Sequence, residues 1–144
     1  MSAAAPPTLD AHLCYQLYST SLKMTQAYKR ALAGTRLTYP QYLVMVVLWE
    51  REGVGIKDLA RRLQQDSGSI TPLVKRLEAE GYLVRSRDPE DERNRVLTLT
   101  AAGHALRADG LRVSRDIAAA CGITHADVQR MMADLAALSA NLDV

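Results

Sequence analysis

The chain has 144 residues, 24% of them charged, and a formal net charge of +2, which is length enough for one domain with its own core. Its longest apolar run, Leu43 to Trp49, falls far short of the ~20 residues that cross a bilayer, so no membrane partner is expected. Residues 51–100 hold ten bases against nine acids; bulk charge is therefore silent about nucleic acid, and only the placement of the basic groups can speak.

Residues 1–8, beginning Met-Ser-Ala-Ala-Ala-Pro-Pro, lack the basic start and apolar centre of a leader peptide; they read as a flexible tail on a cytoplasmic protein. A long helix is expected over residues 10–33, with Leu13, Leu17, Ser21, Met24, Tyr28 and Leu32 on one stripe. Thr38 and Gln41 have capping-box spacing and Pro40 suits a first turn, so a second helix is expected over 39–52. Ile56 to Leu63 reads as a short apolar-striped helix, followed after Gln64 and Gln65 by another across 66–81. In the latter, Ile70, Leu73, Val74 and Leu77 fall at i, i+3, i+4 and i+7. Asp66 or Ser67 can cap its start, and Gly81 can end it in the left-handed conformation. Two short helices joined by so small a turn read as helix-turn-helix.

The polar face of the second of these helices carries Ser67, Ser69, Thr71, Lys75 and Arg76. Small hydroxyls let a helix sink into a major groove, and the cations reach phosphates. The period then shortens to two: Val84–Arg87 and Arg95–Leu99 are expected to pair as strands about a turn at Asp88–Glu92. Arg93 stands near the tip of this hairpin and Arg85, Arg87 and Arg95 on its arms, a shape suited to a narrow minor groove. Thr100 can cap an Ala-rich helix over 101–120 that runs up to Cys121 and Gly122, and Thr124 with Asp127 opens a last helix to about Leu142.

Any one of these helices is commonly plain core packing, and arginines around a loop are commonly a solvated face. Their order is what points to a DNA reader. The expected fold is mainly α (α+β): a winged helix-turn-helix lobe over 39–100, with long N- and C-terminal helices (9–38 and 101–144) for dimerisation. Such a homodimer would read two half-sites of a double-stranded DNA operator.

Cys14 lies near the start of the first helix, where the partial positive charge of the helix end favours thiolate over thiol. Free cysteine is also among the most buried residue types, so inert packing is the competing reading.

Asp91-Glu92-Arg93, followed by Leu97-Thr-Leu-Thr-Ala-Ala-Gly103, resembles the wing signature of MarR-type winged-helix regulators, which implies that Asp91 steadies Arg93. Leu13-Cys14-x-x-Leu17-Tyr18, Tyr28, Leu37-Thr-Tyr-Pro-Gln-Tyr-Leu43, Leu48-Trp-Glu50 and Asp66-Ser-Gly-x-x-Thr-Pro72 resemble the organic-hydroperoxide-sensing branch of that family, over about residues 10–104. The resemblance implies a repressor that binds a pseudo-palindromic operator and releases it when organic hydroperoxide oxidises Cys14, with Tyr28 and Tyr39 donating hydrogen bonds to the sulfur. In two-cysteine members a cysteine near the end of the fifth helix resolves the sulfenic acid into an intersubunit disulfide. Cys121 is in about that place, with a buried spectator thiol as the alternative. Spacing adds a constraint of its own. Cys14 and Tyr28 are fourteen residues apart on one expected helix, about 21 Å of rise, so either the helix bends or the tyrosine belongs to a second subunit. The second is favoured.

Three other classes compete. A zinc-responsive repressor would use His12, Cys14, Cys121 and His125, but Gly122 interrupts the helical face of the last pair and no zinc spacing motif is present. A thiol peroxidase would share the reactive cysteine, yet no turnover machinery is visible. A MarR repressor released by a small phenolic ligand, with Cys14 incidental, is the main alternative. No metal, no cofactor and no enzyme activity are expected.

Overall fold

Polar side chains start most of the helices. The computed structural model describes residues 8–143, so the expected tail lies outside the described residues except for Thr8. Helix α1 (Leu13–Ala31) begins later than residue 10: a 3-10 turn at Leu9–Ala11 and extended His12 come first, and His12 offers no side-chain cap. Beyond α1 the chain turns around buried Thr35, whose hydroxyl donates to Leu32 O at 2.7 Å while accepting from the Leu37 amide at 3.2 Å. Helix α2 (Tyr39–Glu50) then opens with the expected capping box: Gln41 N donates to Thr38 Oγ1 at 3.4 Å, and Thr38 N to Gln41 Oε1 at 2.9 Å.

A two-residue strand, β1 (Val54–Gly55), leads into α3 (Ile56–Arg62). Neither length nor alternation signals so short a strand. Gln64 turns the chain with φ +54°, and Asp66 accepts from the Ser69 amide at 2.7 Å to start α4 (Ser67–Ala79). Gly81 follows α4 at φ +84°, the left-handed conformation that glycine adopts without steric cost. Strands β2 (Leu83–Arg87) and β3 (Arg95–Leu99) pair antiparallel, and the sheet order is β1-β3-β2. The strand begins at Leu83, one residue before its expected start, because buried Leu83 pairs with Leu99 on the core side while Val84 points outward.

The expected single helix over 101–120 is two: α5 (Ala101–Ala105) and α6 (Arg107–Cys121), with a step at Leu106. The Gly103 carbonyl, which would accept from Arg107 in a continuous helix, instead accepts from the Trp49 indole N–H at 3.0 Å. Helix α7 (His125–Leu142) starts from a capping box, with Asp127 N donating to Thr124 Oγ1 at 3.1 Å.

Met45, Leu48, Leu59, Val74, Leu83 and Leu97 are buried where α2, α3, α4 and the sheet meet, and Val113 and Ile117 carry the core into α6. This is a winged helix-turn-helix lobe flanked by long helices. Those flanks are less covered: α1 and α7 contain no fully buried residue. Leu13 (60% exposed), Leu17, Leu22, Met131, Met132 and Leu135 face outward. A groove of about 520 Å³ runs between the two helices, with Leu17, Met24, Tyr39, Met131 and Leu135 among its lining. Among the described residues, no helix is long and apolar enough to cross a membrane.

Candidate nucleic-acid interface and thiol sites

The exposed face of α4 begins at its cap. Asp66 accepts from the Ser69 amide and, at 3.1 Å, from the Ser69 hydroxyl, and these bonds hold its carboxyl below the ordinary aspartate range. Thr71 donates to Ser67 O at 2.8 Å. The hydroxyls of Ser69 and Thr71 thus spend their protons inside α4 and keep lone pairs for an outside donor. Lys75 and Arg76 stand exposed farther along.

The wing tip is tied by its acids. Asp91 accepts from the Arg93 backbone amide at 3.0 Å, Asp88 from the Glu90 amide at 2.9 Å, and Asn94 Nδ2 reaches Asp88 Oδ2 at 3.3 Å. Asp91 therefore braces Arg93 through its main chain. Among the described residues no ion pair holds the Arg93 guanidinium, which is left for another partner. Arg95 lies directly opposite Arg87 in the β2–β3 ladder, both exposed. Like charges facing across strands repel, and an anion between them would relieve that repulsion. Arg85 is otherwise engaged: Nη2 meets Glu78 Oε1 at 3.0 Å and Nε meets Oε2 at 3.4 Å. The guanidinium keeps the Glu78 carboxyl below its ordinary range. Arg85 thus braces the wing against α4, although the sequence groups it with the other wing arginines.

Between wing and helices lies a concavity of about 580 Å³ lined by Lys57, Arg61, Ser67, Arg93 and Arg95, with Asp58 and Asp91 also on its wall. Lys57 and Arg61 carry no motif in the sequence that marks them out. Their signal was the polar face of α3, which turns to the same side as Ser67. Arg61 touches Asp58 at 3.4 Å, but both are well exposed and such a pair holds little.

The two thiols are free and differently placed. Cys14 is exposed in the first turn of α1; Cys121, half-buried, ends α6. Tyr28 and Tyr39 stack with ring centroids 4.2 Å apart, and Tyr42 sits 5.6 Å from Tyr28. The Tyr28 phenol is pushed up to about 12, chiefly by burial, then by Tyr39, Tyr42 and Cys121 beside it. Tyr28, Tyr39 and Cys121 thus gather within one chain, while Cys14 stands about 21 Å away along an unbroken α1. His12 lies with Cys14 and His125 near Cys121 in sequence; among the described residues no three His, Cys, Asp or Glu side chains converge as a metal site.

Known proteins resemble this chain in sequence and in fold. The MarR family model matches residues 37–94. A transcriptional regulator of Methylorubrum extorquens (strain PA1), TtmR, is 40% identical over 133 residues, 92% of this chain and 68% of its own. The organic hydroperoxide resistance transcriptional regulator of Bacillus subtilis (strain 168) is 42% identical over 99 residues, 69% of this chain and 67% of its own. Among solved structures, reduced AbfR bound to DNA superposes with a TM-score of 0.76 at 29% identity, covering 93% of each chain. CouR of Rhodococcus jostii RHA1, bound to p-coumaroyl-CoA, superposes with a TM-score of 0.81 at 30% identity, covering 92% of this chain and 95% of its own. With a helix-turn-helix, an arginine-tipped wing and relatives similar along most of its length, this chain belongs to the MarR family of transcriptional regulators.

Proposed function

We propose that the protein is a peroxide-sensing repressor that binds a pseudo-palindromic operator as a homodimer and releases it when organic hydroperoxide oxidises Cys14. The observation that carries this reading is the separation of Cys14 from Tyr28, Tyr39 and Cys121 along unbroken α1, because a second copy with its α1 crossing the first would bring the two ends together. The uncovered apolar residues of α1 and α7, Leu13, Leu17, Met131 and Leu135 among them, suit burial against that copy. A relative at 42% identity is named for organic hydroperoxide resistance, and AbfR has been solved on DNA in reduced and overoxidised forms.

In the dimer, Tyr28 and Tyr39 of one subunit donate to the Cys14 thiolate of the other. The thiolate attacks the terminal oxygen of the hydroperoxide; the O–O bond breaks, sulfenic acid forms on Cys14, and the alkoxide takes a proton and leaves as the alcohol. The Cys121 thiol then attacks that sulfur, forming the S–S bond and releasing water. On DNA, Ser67, Ser69, Thr71, Lys75 and Arg76 face the major groove and Arg93, flanked by Arg95, enters the minor groove.

A second reading has one observation in its favour. The groove between α1 and α7 has room for a small phenolic ligand, and CouR has been solved with an aromatic thioester. The two separate in one experiment: operator affinity before and after a stoichiometric dose of organic hydroperoxide, with and without Cys14. Release that needs Cys14 supports the redox reading. Release by a phenol that is indifferent to Cys14 supports the other.

A further inference from the structure

Trp49 is the only tryptophan of the chain, and its position is unusual in three respects. Its indole N–H donates to Gly103 O at 3.0 Å, at the step between α5 and α6. Its six-membered ring lies so close to α6 that a Cβ on Gly110 would stand 2.5 Å from Cζ3, so no methyl group fits there. Its edge meets Tyr42, with ring centroids 6.1 Å apart at 70°, and Tyr42 in turn adjoins the Tyr28–Tyr39 stack. On the far side of the step, α5 is fastened to the DNA-reading lobe. Thr100 caps α5 through the Gly103 amide at 3.1 Å, donates its hydroxyl proton to Gly81 O just past the end of α4, and bonds Tyr82 O through its own amide at 3.1 Å.

We propose that Trp49 is a positioning residue that carries displacement of α6 to the wing and α4, holding open the α5–α6 step that serves as the hinge. This rests on the redox reading, which supplies the displacement at Cys121, the last residue of α6. The physical argument is packing. A helix whose backbone touches an indole cannot slide past it without moving the ring, and close-packed contacts shift between discrete arrangements rather than deforming smoothly. The ring has somewhere to go: a cavity of about 230 Å³ is lined by Trp49, Tyr42, Val46, Arg107 and Gly110. When the indole withdraws, Gly103 O is free to accept from Arg107, the step closes, and α5 turns with α6. Thr100 and its bonds to Gly81 and Tyr82 turn with it.

The test uses the full-length dimer and follows three quantities: Cys14 oxidation by intact mass, operator affinity by anisotropy of labelled DNA, and Trp49 emission. In the wild type, oxidation by cumene hydroperoxide is expected to shift the emission, and in Cys14→Ser it is not. Trp49→Phe keeps a ring but no donor, so the step is closed from the outset. It is expected to oxidise at Cys14 as the wild type does, to bind the operator more weakly than the wild type before any oxidant is added, and to change affinity on oxidation at least about fivefold less, the weight of one net hydrogen bond. Gly110→Ala pushes the ring aside and is expected to weaken operator binding before any oxidant is added, with the fold checked by circular dichroism. A wild type that oxidises and releases DNA while Trp49 emission stays fixed overturns the inference and leaves the redox reading standing. So does a Trp49→Phe that releases DNA as fully as the wild type at equal Cys14 oxidation. A wild type that is not oxidised at Cys14, or keeps its operator once oxidised, overturns both.

Discussion

Glu78, near the end of α4, and Arg85, in β2, form a two-pronged ion pair with contacts of 3.0 and 3.4 Å, and Glu78 also accepts from the Arg85 amide at 3.3 Å. The pair ties α4 to the hairpin, and under the proposed function it sets the angle between the helix offered to the major groove and the hairpin offered to the minor groove. Both must fit at once for a half-site to be read.

Glu78→Gln is therefore expected to weaken operator binding more than binding to unrelated DNA. Its cost in stability should be small, about 0.5–1 kcal/mol, since both side chains are one-third exposed and solvent screens them. The Glu78 carboxyl is held below its ordinary range, so its contribution is complete above that range and fades as pH falls through the lowered value. Thermal melts of wild type and variant should therefore converge in acid. Equal losses on operator and random DNA would show that the pair does not set groove geometry.

Arg93→Ala should cost on the order of 1–3 kcal/mol of operator affinity, the range for one good groove contact. Arg95→Ala should act in two directions. Removing a charge that faces Arg87 relieves repulsion in the free protein by a few tenths of a kcal/mol, roughly the scale of a cross-strand pair. The same change should weaken DNA binding and lower the salt slope by about one ion. Melting and salt titration of the one variant check both signs; a melt unchanged or lowered counts against the opposed-charge account.

Cys14→Ser should bind the operator and stay bound when hydroperoxide is added, because serine is not ionised near neutral pH and forms no sulfenic acid. Tyr28→Phe and Tyr39→Phe should bind as well but respond more slowly. With its phenol pushed up to about 12, Tyr28 stays a protonated donor well into the alkaline range. Tyr28 ionisation should therefore add no step to the oxidation rate between pH 6 and 9, which stopped-flow measurement over that range checks. Loss of operator by oxidised Cys14→Ser would remove Cys14 from the mechanism.

Oxidised wild type should run as a covalent dimer on non-reducing gels. The band should vanish with dithiothreitol, with Cys14→Ser and with Cys121→Ser. Disulfide formation needs the two Cα atoms within about 7 Å, so any larger gap in the reduced dimer must close by movement of the ends of α1 and α6. Cys121→Ser should instead accumulate sulfenic acid and over-oxidise at high peroxide. A monomer band alone, with Cys121 still reduced by mass spectrometry, would make Cys121 a spectator.

Local chemistry was legible in the chain itself. Asp66, Thr38 with Gln41, Thr100, and Thr124 with Asp127 each start a helix by bonds that reach only three residues ahead, so their spacing suffices to read them. Gly81 and the change of period at the wing were readable for the same reason. The decisive contacts of the candidate sites join residues far apart in sequence or on different elements, and no periodicity encodes them. Glu78 takes Arg85 out of the wing's free charge; Trp49 reaches Gly103 and breaks what the alanine-rich pattern presents as one helix; β1 exists only because β3 is there to pair with it. Cys121 meets Tyr28 only when α6 has packed along α1, ninety-three residues later in the chain. Caps and periods act along the backbone and belong to the sequence, whereas hinges, ion pairs and thiol environments arise when packing brings distant side chains together, and only the tertiary structure decides them.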